Sequence, residues 1–479
     1  MNILGRFRKK TLFTATIFLY FVQTAGFAHG AFTIGDEKKL GREFFEKLEQ
    51  NNALVKDPKI NNYINQLGNL ILSNTQKAPF DFRFSVINSS AINAFATPGG
   101  YVYINSGLIN LVENENQLAG VLAHEIAHVN ARHIADIIDK SKKISIGTLA
   151  ALLAGAFLGG GGEASAAITS IALAGATSLN LKYSRDHEEE ADRLGMSYLV
   201  STEYDGKAML DFLKIMRRYE FYSNSVPSYF LTHPGTDERI AYLDGLLQTV
   251  YTQRGKESII GKFKRIQTIL LIGDKNLNAN LKHFQNELEK NPNSVDDLYG
   301  LAAIQEKLGL IPESLKNFHQ ALKISPDDED ILRDLGITYF KIGRTAEAVS
   351  FLKQALNIND ADVNTLLYLG RSYEAQEDYA TALSLYRKLE EKNIDDTDIY
   401  YNIAMAYGKT NNPGASHFNF GIYFKKKNKR ESALFHFKEA LKYFPGDSQK
   451  AKDIKEEMES LKEPNGFRPP PKGSPPPKG

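Results

Sequence analysis

The stretch Gly120-Val121-Leu122-Ala123-His124-Glu125-Ile126-Ala127-His128-Val129-Asn130-Ala131-Arg132-His133 constrains this chain more than any other. Leu118, Val121, Leu122, Ile126 and Val129 recur at helical spacing and predict a helix buried along one side. At about 3.6 residues per turn, positions four apart share a face, so His124 and His128 stand together with Glu125 beside them. Such a pair is either an ordinary polar pair on a helix surface or two ligands of one ion. The apolar stripe, which turns the imidazoles inward or into a cleft, favours the ion. Two neutral imidazoles suit zinc and leave room for a third protein ligand and a water, whose proton Glu125 would take during attack on a peptide carbonyl. The expected cofactor is one Zn2+ per chain.

A third ligand is expected downstream, in Tyr183-Ser184-Arg185-Asp186-His187-Glu188-Glu189-Glu190-Ala191-Asp192-Arg193-Leu194-Gly195. Read as a helix, it places Glu188, Ala191, Asp192 and Gly195 on one face, with Ala191 and Gly195 small enough for another helix to approach closely. Glu188 is the candidate zinc carboxylate. Asp192, one turn on, is the candidate acceptor for the free N–H of a ligand histidine. For Glu189 and Glu190 a solvated acidic run is the better reading. His187 points roughly 100° away from Glu188 and is not expected to ligate.

The two segments together resemble the zinc metalloproteases of the HtpX, BepA and CaaX-prenyl-protease type, which pair a His-Glu-x-x-His helix with a Ser-Arg-x-x-Glu-x-x-Ala-Asp helix. Here the second signature runs from Ser184 to Asp192, and the match selects Glu188 as the ligand. Asn93-Ala94-Phe95-Ala96-Thr97-Pro98-Gly99-Gly100-Tyr101-Val102-Tyr103-Ile104-Asn105 and His233-Pro234-Gly235-Thr236-Asp237-Glu238-Arg239-Ile240 agree with the same family, so the likeness extends over residues 31 to 250. It implies a gluzincin-type metalloprotease domain, misfolded or stalled envelope proteins as substrates, and the outer-membrane β-barrel assembly machinery as a partner.

Length and composition set the outer limits. With 479 residues the chain is too long for one ordinary core, and a net charge of +1 argues against a nucleic-acid partner. The chain has no cysteine, which excludes disulfides, thiolate ligands and a lipidated cysteine and leaves His and carboxylate as the strong zinc ligands. Arg6, Arg8, Lys9 and Lys10 precede an apolar run from Thr11 to Ala28, with small residues at Ala28, Gly30 and Ala31. Residues 1–30 therefore read as a signal peptide, the alternative being an uncleaved anchor. With the resemblance, this predicts a periplasmic protein.

From Phe32 to Ser73 the pattern is helical, and Phe82–Ile87 and Tyr101–Asn105 read as strands, the second entered through Pro98-Gly99-Gly100. In the family the strand after that turn borders the cleft, so an extended substrate could add to it as to a sheet edge; plain hairpin packing is the alternative. Ile146–Leu179 is rich in Ala, Gly and Leu, with Glu163 as its one charge. Gly159-Gly160-Gly161-Gly162 divides it into halves shorter than the roughly 20 residues that span a bilayer. It is expected to be a helical hairpin serving as core, as a lid, or as a surface touching a membrane from 146–179.

His233 falls in a loop marked by Pro234 and Gly235, with Thr236 placed to cap the following helix. Three roles are open to it: a hydrogen-bond donor to the oxyanion of the tetrahedral intermediate, a ligand filling the open zinc position, or a turn cap. In the BepA-like branch the corresponding histidine is regarded as a switch that keeps the resting enzyme latent. Arg239 is placed to orient the loop or an acidic neighbour, and Arg132 and His133 are read as structural.

After residue 260 the sequence repeats with a tetratricopeptide period of about 34. Leu298, Leu301, Ala302, Phe318, Ala321 and Pro326 begin the series. Leu335, Gly336, Tyr339, Ala348 and Ala355 follow, then Leu369, Gly370, Tyr373, Ala382 and Tyr386. Ile403, Ala404 and Tyr407 open a fourth unit, and Gly421, Ala433, Phe437, Ala440 and Pro445 form a last one out of register, with the irregularity near Pro413. Stacked helix pairs offer a concave surface for an unfolded client or a partner, or else pack as a scaffold. Residues 463–479 form a Pro-rich tail.

The chain is thus expected to be mainly α with a small β-sheet. The expected order is a signal peptide (1–30), a zinc metalloprotease domain (31–260), an α-solenoid of tetratricopeptide repeats (261–462) and the tail. Zinc would sit on His124, His128 and Glu188, with Glu125 as general base, Asp192 behind the ligands and His233 as donor or switch. The alternative is a chaperone-like assembly factor that acts by binding clients through its repeats.

Overall fold

The structure is a computed structural model that describes residues 32–76, 78–139, 145–150, 153, 183–223, 227–392 and 397–461. The predicted signal peptide and Pro-rich tail, and all of the predicted hairpin beyond residues 146–150 and 153, lie outside the described residues. The chain divides into two compact units, 1–270 and 271–479.

In the first unit, helices α1 (Ile34–Gln50) and α2 (Pro58–Leu72) precede strands β1 (Arg83–Ile87), β2 (Ala94–Thr97) and β3 (Tyr101–Asn105). Helices α3 (Ser106–Leu111), α4 (Glu115–Asn130) and α5 (His133–Asp139) follow. After them come α6 (Arg185–Ser201), α7 (Lys207–Ser223), α8 (Ser228–Thr232), α9 (Thr236–Thr249) and α10 (Phe263–Gly273). Local chemistry sets the entries: Asp57 caps α2, Asn114 caps α4 and Ser184 caps α6, each through a side chain that accepts a backbone N–H of the first turn. Gly99 and Gly100, with φ of 88° and 94°, make the β2–β3 turn that other residues would strain to adopt.

Among the described residues the sheet has the order β1-β3-β2, with β1 parallel and β2 antiparallel to β3. This corrects the expectation for the strand after the Pro-Gly-Gly turn. β3 is the central strand, its backbone groups engaged on both sides, because the run Ala94–Thr97 before the turn is itself a strand. Any addition of an extended chain therefore falls to β2, since the outer edge of β1 is already bonded through Val55 N–H to Val86 O, Asn88 N–H to Ala53 O and Asn65 Nδ2 to Phe84 O.

Helix α4 also differs from the expectation of one buried side. Every residue from Glu115 to Val129 is buried. Small residues make this possible: Gly120 lies against Met209 of α7, and a Cβ on Gly195 of α6 would stand 3.1 Å from both N and Cα of His124. The main core gathers Ile64, Leu67, Val102, Leu122, Ile126, Leu199 and Leu213. A second cluster joins Leu40, Phe44, Phe95 and Tyr103 to Leu149, Ala150 and Leu153, so the described start of the Ala/Gly-rich run packs inward.

The second unit is a series of antiparallel helices from α11 (Leu277–Lys290) and α12 (Val295–Lys307) to α13 (Ile311–Ile324), α14 (Glu329–Lys341) and α15 (Thr345–Ile358). It continues through α16 (Val363–Ala375), α17 (Tyr379–Glu390), α18 (Thr397–Lys409) and α19 (Pro413–Lys426) to α20 (Arg430–Leu441) and α21 (Gln449–Ser460). Glycine marks the close approaches. Gly336 receives Leu352, and Gly370 receives Tyr386. Gly421 of α19 receives Phe437 of α20 in the same way, and a Cβ would collide at each. Meanwhile Ser416 of α19 donates to Ala404 O of α18 at 2.8 Å, as Ser314 does to Ala302 O. Helix α19 thus closes one pair and opens the next, and this half-repeat step is the physical form of the irregularity read near Pro413. No helix among the described residues is long and apolar enough to cross a membrane.

Candidate metal centre

Helices α4 and α6 cross at Gly195, and the residue at the end of α8 completes the site. His124, His128, Glu188 and His233, all buried, each offer one ligand atom, and these atoms lie within 4.8 Å of one another. His124 Nε2 is 3.0 Å from His128 Nε2 and 3.4 Å from His233 Nδ1. Glu188 Oε2 is 3.5 Å from His124 Nε2, while its Oε1 is 3.5 Å from His128 Nε2 and 3.1 Å from His233 Nδ1.

The donor set fits a metal ion. Ligand atoms held at about 2.0–2.1 Å from a tetrahedral centre stand about 3.3 Å apart, and the separations here bracket that value. Burial and the charge of His124 hold the His128 imidazole well below its ordinary pKa, so it is neutral, the form that ligates. For His124, burial and Arg239 act downward, but the Asp192 and Glu188 carboxylates prevail and push it up to about 9 in the metal-free site.

The surroundings orient the ligands. Asp192 Oδ1 lies 3.0 Å from His124 Nδ1, the nitrogen away from the other donors. Arg239, buried on α9, donates from Nε and a terminal nitrogen to the two Asp192 oxygens at 2.8 and 2.7 Å, and its other terminal nitrogen is 2.6 Å from Glu188 Oε2. Burial pushes the Glu188 carboxyl up, but the His233 and Arg239 charges dominate and hold it well below the usual range. Asp192 behaves alike, with Arg239 and His124 overcoming burial. Both carboxylates are therefore ionised. Glu125 is fully buried beside them, its Oε1 3.5 Å from His233 Nε2, and neither of its oxygens accepts a hydrogen bond among the described residues. Burial raises its pKa against the pull of His233 and His124, which makes it a stronger base than a surface glutamate.

His233 lies just past α8, as the loop reading expects: it is the C-cap of that helix, with no exposure, its ring stacked on Tyr229 at 4.3 Å and 15°. Burial follows from the neighbours, since Tyr229 and Phe230 anchor α8 in the core. One expectation about the segment is corrected: Thr236 does not cap α9. The N-cap is Gly235 at φ 82°, and Thr236 is the first helical residue with no side-chain cap.

Three further rings stand around the donors. Tyr183 stacks on His128 at 3.8 Å and 24°. His133 Nδ1 lies 2.8 Å from His128 Nδ1, and its Nε2 lies 3.2 Å from Glu190, a half-exposed member of the acidic run. His187, as expected, is outside the donor set and pairs with Asp136 at 3.1 Å. The available signal for His133 was its position five residues after His128, which a continuous helix would have placed on another face.

Residues 57–247 match peptidase family M48, and residues 294–361 and 364–393 match tetratricopeptide repeats. The chain is similar to the beta-barrel assembly-enhancing protease of Yersinia pestis, 34% identical over 215 residues, covering 45% of this chain and 44% of that protein. Its counterpart in Escherichia coli K12 is 34% identical over 218 residues, with 45% and 44% covered. The mitochondrial metalloendopeptidase OMA1 of Schizosaccharomyces pombe is 28% identical over 192 residues, 40% of this chain and 54% of that one. The match spans less than half the length of either bacterial relative.

Proposed function

We propose that this chain, a peptidase family M48 domain followed by tetratricopeptide repeats, is a zinc-dependent endopeptidase of the periplasm that cleaves misfolded or stalled envelope proteins. The observation that carries the reading is the buried convergence of His124 Nε2, His128 Nε2 and a Glu188 oxygen, backed by Asp192 and with the unbonded Glu125 carboxylate alongside. These side chains would hold zinc, which supplies a Lewis acid and an acidified water in a site of this type. Glu125 accepts the proton of the attacking water and later returns it to the leaving amine. Arg239 keeps Asp192 and Glu188 in place, and Asp192 holds His124 in the tautomer whose Nε2 lone pair faces the site. The outer-membrane assembly role rests on the bacterial relatives' names, and client binding on the repeat surface.

His233 favours the latent reading over the donor reading. Its Nδ1 lies among the ligand atoms, where it would take the position a water needs, so the resting enzyme is restrained until α8 shifts. In this reading His233→Ala raises cleavage severalfold with the zinc content unchanged.

The test is cleavage of an unfolded outer-membrane protein by the mature chain and by Glu125→Gln. Loss of about 10²–10⁴-fold in the variant, with zinc retained, is expected for a general base. Equal cleavage by both would refute the assignment. Client rescue that survives Glu125→Gln would instead favour the assembly-factor role.

A further inference from the structure

The two histidines of α4 are oriented in different ways. His124 Nδ1 meets the Asp192 carboxylate directly at 3.0 Å, whereas His128 Nδ1 meets another imidazole, His133 Nδ1, at 2.8 Å. One premise fixes the rest. If His128 presents its Nε2 lone pair to a metal, the neutral ring carries its proton on Nδ1, and that proton needs an acceptor. His133 Nδ1 is at hydrogen-bond distance, so it carries the lone pair, and the proton of the neutral His133 ring sits on Nε2. There it points at Glu190 Oε2, 3.2 Å away.

The chain is built to hold His133 in this position. Helix α4 ends at Asn130 with Ala131 as its C-cap, and Arg132 takes the left-handed conformation, φ 56°, which returns the backbone so that a residue five positions on faces His128 again. A non-glycine residue there is strained, and its guanidinium is secured by Glu37 at 2.7 Å and by Phe32 O at 3.1 Å. The His133 ring is 2% exposed and stacks on His187 at 4.4 Å and 17°, and His187 is itself tied to Asp136. Tyr183 lies flat against the face of the His128 ring.

We infer that His133 is a positioning residue for the metal site: it accepts the Nδ1 proton of His128 and passes the constraint to Glu190, so that a carboxylate half exposed at the surface sets the tautomer of a buried ligand. The inference rests on the reading of His128 as a ligand. It divides the site into a direct arm, Asp192 on His124, and a relayed arm, Glu190 through His133 on His128. The relayed arm is the only one of the two that ends outside the core, since Glu190 is half exposed and Asp192 is not exposed at all.

The test compares zinc affinity, by competition with a chelator, for the full chain and for His133→Leu, His133→Asn and His128→Ala. Leucine fills the space but accepts nothing, and a loss of about 10–100-fold is expected. Asparagine places a carbonyl where Nδ1 was, and recovery to within about threefold of the parent is expected from the restored acceptor. Parent-like affinity in the leucine variant, or an asparagine variant as weak as leucine, overturns the inference. Should either variant fail to fold, nitrogen NMR of the zinc-loaded parent decides: His133 unprotonated at Nδ1 and protonated at Nε2 supports it, and the reverse overturns it. A parent that binds no zinc, or His128→Ala that binds as tightly as the parent, removes the ligand reading and this inference with it.

Discussion

At the scale of single residues, the candidate site is governed by competition for positive charge. Burial opposes ionisation of Glu188 and Asp192, yet Arg239 and the imidazoles keep both carboxylates charged, and in the metal-free site His124 is protonated up to about pH 9. A metal must displace that proton. Zinc uptake at pH 7 is therefore expected to release about one proton per chain, measurable by calorimetry in two buffers of different ionisation enthalpy, and to weaken as the pH falls. Uptake with no proton release would contradict this account of His124. Helical spacing made the pairing of His124 with His128 and of Glu188 with Asp192 readable in the sequence, because each pair lies within one helix, while the family resemblance selected Glu188 among its acidic neighbours. Spacing within a helix says nothing of His133, Tyr183 or Tyr229. Their places depend on the reversal at Arg132 and on rings brought together from separate elements, which leave no local pattern.

At the scale of elements, the site exists because α4 and α6 come close enough for ligands from both to meet. Gly195 sets that distance, since any side chain there would press on the backbone of His124. Gly195→Val is expected to cost about 2 kcal/mol of unfolding free energy and to lower metal affinity at the same time. Denaturant titration beside metal competition would check the pair, and a variant with parent stability would show that the helices have room to spare. The small residues of α6 were readable as a close-approach face, but the full burial of α4 was not. It arises from α7 and the sheet covering faces that the apolar stripe alone leaves polar or small. Strand β2 was hidden for a related reason: four residues before a turn carry too short a pattern to stand apart from the loop. In the solenoid, the period of the small residues gave the helix pairs directly, and the half step at α19 explains why Gly421 breaks the spacing while still meeting its large partner.

At the scale of the molecule, Glu115 joins the start of α4 to the segment that leads out of the first unit. Its buried carboxylate accepts from Tyr63 at 3.0 Å and Tyr204 at 2.6 Å, and from the backbone N–H groups of Ile259, Ile260 and Gly261 at 2.6 to 2.8 Å. Burial pushes its pKa up, but these donors outweigh it and bring it below the ordinary glutamate value near 4.5. A depressed carboxylate contributes stability that is full above the unfolded value and lost as the pH falls through the folded one. Glu115→Gln is expected to cost about 2 kcal/mol at neutral pH, because an amide nitrogen meets donors where an oxygen accepted them. The penalty should shrink below pH 4.5, and thermal melts across pH would show it; a penalty independent of pH would contradict the assignment. The central claim, that these residues hold a catalytic metal, is tested most directly by elemental analysis of the purified mature chain beside Glu188→Ala under non-chelating conditions. About one zinc per chain, lost or much reduced in the variant, is the predicted result; a parent chain free of zinc would contradict it.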